Sequence, residues 1–173
     1  MRYYDEIYSE VVPFKFVKYI TFAEGGLGII FLIMYIMQIS GNPGIDEELP
    51  SYFFLIMAAI MFTIAVLLFN MTRLKLGITT GAVMASFGLI KFEVPLGNVA
   101  DAYTDERSSL KYGGWGIRLT KAKEGWLLAY TSIGFKRVVL ELKEHKYKRF
   151  VFSTAHPDEV VNVINQQLKR GKL

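Results

Sequence analysis

The chain has 173 residues, no cysteine, two histidines and a net charge of +4, and 52% of its residues are hydrophobic, with a mean hydropathy of +0.29. The missing cysteine excludes a disulfide framework, a thiolate nucleophile and any Cys-ligated zinc or iron–sulfur centre, while His145 and His156 alone leave little for a His-rich metal centre. The apolar share exceeds the roughly 45–50% of an ordinary soluble domain and places part of the chain in lipid.

Charge is divided along the chain. Residues 1–70 carry three basic and seven acidic groups, and the remainder carries 17 basic and 9 acidic groups, a balance of +8. In the first part, Tyr19 to Ile39 is an apolar run with one charge, Glu24, and Tyr52 to Phe69 is a second with none. At about 1.5 Å rise per residue, runs of about 20 residues cross a hydrocarbon core of about 30 Å, so both are predicted transmembrane helices. The mixed charges ahead of the first run (Arg2, Asp5, Glu6, Glu10, Lys15, Lys18) argue against a cleavable signal peptide. Lys15 and Lys18 precede the first run, and Arg73 and Lys75 follow the second. The connection between them has no basic residue, only the turn signal Asn42-Pro43-Gly44 and the acidic Asp46-Glu47-Glu48. By the positive-inside rule both termini are expected in the cytoplasm, in a multi-pass protein of the cell membrane.

Within the first run Gly25, Gly26 and Gly28 form a small-residue face for close helix packing, with Gly25 and Gly28 as the candidate positions and Ala58-Ala59 as a matching surface. The hairpin packing on itself and a contact with a partner helix both satisfy this pattern. Glu24 is placed to snorkel or to pair with Lys18, the sharper alternative being ion or proton transfer.

From Leu74 onward short alternating segments are separated by turn residues, which predicts strands at Leu74 to Thr79, Ala82 to Phe87, Ile90 to Pro95 and Asn98 to Thr104. Further strands are predicted at Gly116 to Thr120, Leu127 to Thr131, Arg137 to Leu142 and Arg149 to Ser153. Seven or eight strands, all antiparallel, are expected. After Thr154-Ala155-His156-Pro157-Asp158-Glu159, the spacing of Val160, Val161, Val163, Ile164 and Leu168 predicts an amphipathic C-terminal helix. Pro157 suits its first position and the two acids suit its positive end. The fold class is therefore α+β, mainly β, with an N-terminal segment and helical hairpin over 1–72 and a cytoplasmic domain over 73–173.

The succession Gly77-Ile78-Thr79-Thr80, Phe92-Glu93-Val94-Pro95-Leu96 with Val99, Gly114-Trp115-Gly116-Ile117-Arg118 and Thr154 to Glu159 resembles the prokaryotic pleckstrin-homology-like domains of small membrane proteins. The likeness covers roughly residues 73 to 169, and its most specific string is Gly-Trp-Gly-Ile-Arg. The resemblance implies a strongly bent sheet of about seven strands capped by the C-terminal helix. A shared scaffold does not transmit a shared ligand.

Two groups of residues are candidate contacts. In the glycine-rich segment Tyr112 to Arg118, Trp115 lies either beneath the sheet or at its rim, and Arg118 has the planar fork that pairs with a carboxylate or phosphate. The later turns carry Lys121, Lys123, Lys136, Arg137, Lys143, Lys146, Lys148 and Arg149, of which Lys136, Arg137, Lys148 and Arg149 are the candidate reading group for anionic headgroups. No phosphate-cradling glycine loop, metalloprotease motif or serine elbow is present, and His156 beside Asp158 sits in a helix-start sequence. The expectation is a non-enzymatic module without metal, cofactor, nucleic acid or small-molecule substrate. It touches lipid through its spans and assembles a membrane complex through protein contacts or self-association. The alternatives are an anionic-lipid sensor and an accessory subunit of a transporter or respiratory complex.

Overall fold

The computed structural model describes residues 5–41, 49–106, 114–122 and 125–170. The chain divides into two compact units, Lys15–Thr72 on one hand and Met1–Phe14 together with Arg73–Leu173 on the other. The division read from the sequence, 1–72 and 73–173, is therefore redrawn. The residues before the first helix belong with the β domain, into which the helical unit is inserted.

The inserted unit has two helices, α1 (Lys15–Ile39) and α2 (Ser51–Asn70), each long and apolar enough to cross a membrane, with window hydropathies of 1.9 and 2.6. Their hydroxyl and amide side chains bond back to their own helix. Thr21 Oγ1 donates to Val17 O, Thr63 Oγ1 to Ala59 O and Asn70 Nδ2 to Val66 O, so these groups need no water. Gln38 Nε2 donates to Leu49 O at 2.6 Å and ties the two helix ends across the connection. The turn Asn42-Pro43-Gly44 and the acidic triplet Asp46-Glu47-Glu48 lie outside the described residues.

The β domain contains β1 (Glu6–Pro13), β2 (Arg73–Thr79), β3 (Ala82–Phe87), β4 (Ile90–Pro95), β5 (Val99–Asp105), β6 (Gly116–Ala122), β7 (Gly125–Thr131), β8 (Lys136–Leu142) and β9 (Tyr147–Thr154). A 3₁₀ turn, Leu96–Asn98, precedes β5, and α3 (Pro157–Arg170) ends the domain. The first four strands form one antiparallel sheet in the order β1-β2-β3-β4, and the other five form a second in the order β5-β8-β9-β7-β6. The α+β class stands. The expected seven or eight antiparallel strands become nine among the described residues, with one parallel pair, β7 and β9. The extra strand is β1. The parallel pair arises because the loop after β7 does not close a hairpin. Ser132 N donates to Ser153 Oγ at 2.9 Å, so this loop passes over the end of β9 and delivers β8 to its far side.

Alternation sets the faces. In β2, Leu74, Leu76 and Ile78 point into the core while Arg73 and Lys75 point out. The two sheets meet through aromatic rings, Phe87 stacking on Tyr130 at 5.8 Å and Phe92 lying 4.7 Å from Phe150. On α3 the predicted stripe is observed in part, with Val160 and Ile164 fully buried, and the helix packs chiefly on β5 and β8. Its side chain Asn165 Nδ2 donates to Ala102 O.

A polar tie secures the early strand. Glu10 on β1 accepts Thr154 Oγ1 at 2.5 Å, the Ala155 backbone N–H at 2.7 Å and the Tyr8 hydroxyl at 2.9 Å, joining the first strand to the β9–α3 junction. Burial, together with the hydrogen bond to the Glu10 carboxylate, pushes the Tyr8 phenol up from 10.0 to about 12. The fold thus favours the neutral phenol. The stability this contributes is complete below pH 10 and is lost as pH rises through about 12. Denaturation midpoints measured in mild detergent should fall across that interval in the unmodified protein, and the fall should be smaller in Tyr8→Phe.

Candidate functional site

The basic candidates are dispersed by the sheet register. Lys136 Nζ lies 2.8 Å from Glu106 Oε1, an exposed pair that lowers the Glu106 carboxyl and raises the Lys136 ammonium. Arg149 faces Glu141 across β8–β9, with Nη2 to Oε1 at 3.5 Å, and Glu141 also accepts the Tyr103 hydroxyl at 3.4 Å. Arg137 is not at a hairpin rim. It is 7% exposed, in register with Asp105, itself 5% exposed, so the two form a cross-strand couple of buried opposite charges. Burial holds the Arg137 guanidinium below its ordinary value, and the Asp105 carboxylate opposes that shift. Lys148 is exposed, with its stem over Gly125, where an added Cβ would meet Lys148 Cγ at 2.7 Å. Lys146 reaches over the Tyr147 ring, and Lys123 lies outside the described residues. The structure thus brings no common patch out of Lys136, Arg137, Lys148 and Arg149. The same alternation that makes strands also carries their charges to different faces.

Residues 107–113, which include the first two of the glycine-rich segment, lie outside the described set. Gly114 and Gly116 hold φ of 95° and 86°, a region that suits glycine, and the turn they make presents Trp115 to the core edge. Trp115 is half-buried and packs edge-on against Phe14, ring centroids 5.3 Å apart, which favours the structural role for this residue. Arg118 is exposed and its Nε donates to Trp115 O at 3.1 Å, a bond that reinforces the same turn.

The two helix glycines separate. Gly28 is buried, and an added Cβ would meet the Phe62 ring at 3.1 Å, so this position packs the hairpin on itself. Gly25 has nothing within 4 Å and faces outward. Glu24 Oε2 is buried with no hydrogen-bond partner.

Sequence reading overlooked an aromatic face on the later hairpins. Trp126 is 42% exposed and Leu119 is 51% exposed, two rows apart on the β6–β7 ladder. Trp126 is in register with Tyr147, whose ring adjoins His145 at 5.3 Å and Phe92 at 5.7 Å. A large apolar residue directly after Gly125 was the available signal. A cleft of about 500 Å³ opens beside the end of α3, lined by Thr80, Leu96, Val99, Lys143, Leu168 and Arg170. No cluster of three or more histidine, aspartate or glutamate side chains able to hold a metal is found among the described residues.

Comparison with protein-family models, with curated proteins and with solved structures finds no match.

Two predictions follow from these placements. Arg137→Met strands the Asp105 carboxylate and should lower stability by about 3 kcal/mol, whereas Lys148→Glu should change it by about 0.5 kcal/mol or less, both read from denaturation midpoints. In the helices, Gly28→Ile should lower the unfolding temperature in detergent by forcing Phe62 aside. Gly25→Ile should leave it unchanged.

Proposed function

We propose that the protein is a membrane-anchored, non-enzymatic assembly module, in which the α1–α2 hairpin spans the bilayer and holds a β domain at the cytoplasmic surface as a platform for protein contacts. The observation that carries this reading is the insertion of two apolar helices between paired strands. Only Phe14 separates β1 from α1, and only Met71 and Thr72 separate α2 from β2. Spanning is supported by the exposure of these helices, whose apolar windows are 6% and 17% buried, because helices apolar all round need a nonpolar medium where no protein core covers them. Lys15, Lys18, Arg73 and Lys75 around their outer ends support cytoplasmic termini.

A pleckstrin-homology-like ancestry draws support from the two sheets and the C-terminal helix packed beside them. The nine strands and the parallel β7–β9 pair are departures from that pattern. Protein contact is favoured over selective headgroup reading because Lys136, Arg137 and Arg149 face carboxylates, while Trp126, Leu119 and Tyr147 offer the aromatic and aliphatic surface that concentrates binding energy at interfaces. The open surface at Gly25 favours a second reading, an accessory subunit whose first helix docks another membrane helix.

The test is a photo-crosslinking amino acid placed at Trp126 or Leu119 in the full chain, with Glu6 as an exposed control on the other sheet. Discrete adducts at the first two positions and none at the control are expected. No adduct at any position, with a monomer throughout mild-detergent purification, would remove the assembly reading.

A further inference from the structure

The β3–β4 turn carries a side chain that a soluble surface does not explain. Gly88 and Leu89 form its two central positions, and Gly88 supplies the left-handed φ of 53° that such turns require. The next position ordinarily takes a small polar residue. Here it is Leu89, 90% exposed, followed by Ile90 at 54%.

The ladder shows where this tip lies. Pro13 is in register with Arg73, Leu74 with Phe87, and Phe87 with Ile90, so Leu89 stands one row beyond, at the end of the sheet from which both connections to the helices leave. The β7–β8 loop reaches the same end. Phe14, at the first connection, packs against Phe87 at 6.4 Å and Trp115 at 5.3 Å, and Thr131 Oγ1 donates to the neighbouring Gly114 O at 2.7 Å. Two residues past Thr131 is Ile133, 48% exposed. Arg73 and Lys75, both exposed, lie on the adjoining rows, as does Lys91, whose ammonium pairs with Glu93 at 2.9 Å. Two independent tips thus present branched aliphatic side chains at the one end of the domain that is covalently joined to the apolar helices, with cations beside them. Aliphatic groups that enter the acyl boundary with basic residues at headgroup level make the interfacial pattern of peripheral membrane contact.

We propose that Leu89 with Ile90, and Ile133, insert into the interfacial region of the cytoplasmic leaflet, so that the β domain docks on lipid through its own hairpin tips as well as through its anchor. This inference rests on the reading that the α1–α2 hairpin spans the bilayer. The lipid commitment comes from continuity: the tip lies at the sheet end from which the chain passes directly into both apolar helices.

The absence of native cysteine makes the test direct. The full chain is reconstituted in nanodiscs containing lipids doxyl-labelled near the headgroup or deep in the acyl chain, with single environment-sensitive labels at Leu89→Cys, Ile133→Cys, Glu144→Cys and Ile60→Cys. Glu144 lies in the β8–β9 turn, at the opposite end of the strands, and Ile60 lies in the middle of α2. Expected are several-fold stronger quenching by the shallow doxyl lipid at Leu89 and Ile133 than at Glu144, and quenching by the deep lipid at Ile60. Quenching at Ile60 with none at either tip would overturn the inference and leave the spanning reading in place. A tip label shielded from aqueous iodide but untouched by both doxyl lipids would overturn it too, because protein would then cover the tip. No quenching at Ile60 would overturn the spanning reading itself. The substituted tips are exposed turn positions, and circular dichroism of each labelled protein confirms that it remains folded.

Discussion

The β1–β2 ladder is the constraint on which the rest depends. It pairs Glu6–Pro13 with Arg73–Thr79 across 59 intervening residues. Were that stretch flexible, closing it would cost about 3–4 kcal/mol in chain entropy. The helical hairpin removes much of this cost, because Phe62 against Gly28 and Gln38 against Leu49 already fold the segment back on itself. Strand pairing and helix packing are therefore linked through the chain, and a change that loosens one weakens the other. The Glu10 tie to Thr154 and Ala155 extends the same dependence to the C-terminal helix, which starts two residues after Ala155.

Inside the domain a run of rings joins the two sheets among the buried aliphatic side chains. Trp115, Phe14, Phe87 and Tyr130 follow one another edge-on, tilted and stacked, and Phe92, Phe150 and Phe152 continue the series. Large flat groups bury much area per residue and fix their neighbours through geometry as well as volume. Phe14 is the member that matters most for architecture. It is both the first connection to the helices and the contact between Phe87 and Trp115, which is why the Gly-Trp-Gly turn serves structure before it serves recognition.

Local pattern was legible to within a few residues. The helix predicted from Tyr52 to Phe69 is Ser51–Asn70, and the strands predicted at Ala82 to Phe87 and Ile90 to Pro95 are observed with those bounds. Non-local pairing was not legible. The segment Glu6–Pro13 mixes acids, a serine and a proline, and it becomes a strand only because Arg73–Thr79 offers an edge. The position of β9 between β8 and β7 contradicts the usual reading of a short loop as a hairpin, and no residue in Ser132–Phe135 announces it. Side-chain placement follows the same rule: Arg137 reads as one more rim cation until register sets it against Asp105, and Trp115, open between core and rim in the sequence, meets Phe14 from a hundred residues earlier.

Double covalent attachment changes what the surface of this domain must do. A protein that has to find a membrane needs enough unpaired cations to capture it from solution, whereas one already anchored has its surface at a high effective concentration of lipid and of membrane partners. Under the anchoring proposed above, the pairing of Lys136 with Glu106 and Arg149 with Glu141, and the inward turn of Arg137, fit the second case. Weak contacts suffice there, and they are set by orientation. Both connections to the helices leave through β1 and β2 at a single end of one sheet. The exposed apolar residues divide accordingly, Leu89, Ile90 and Ile133 at the connected end, Trp126 at the other.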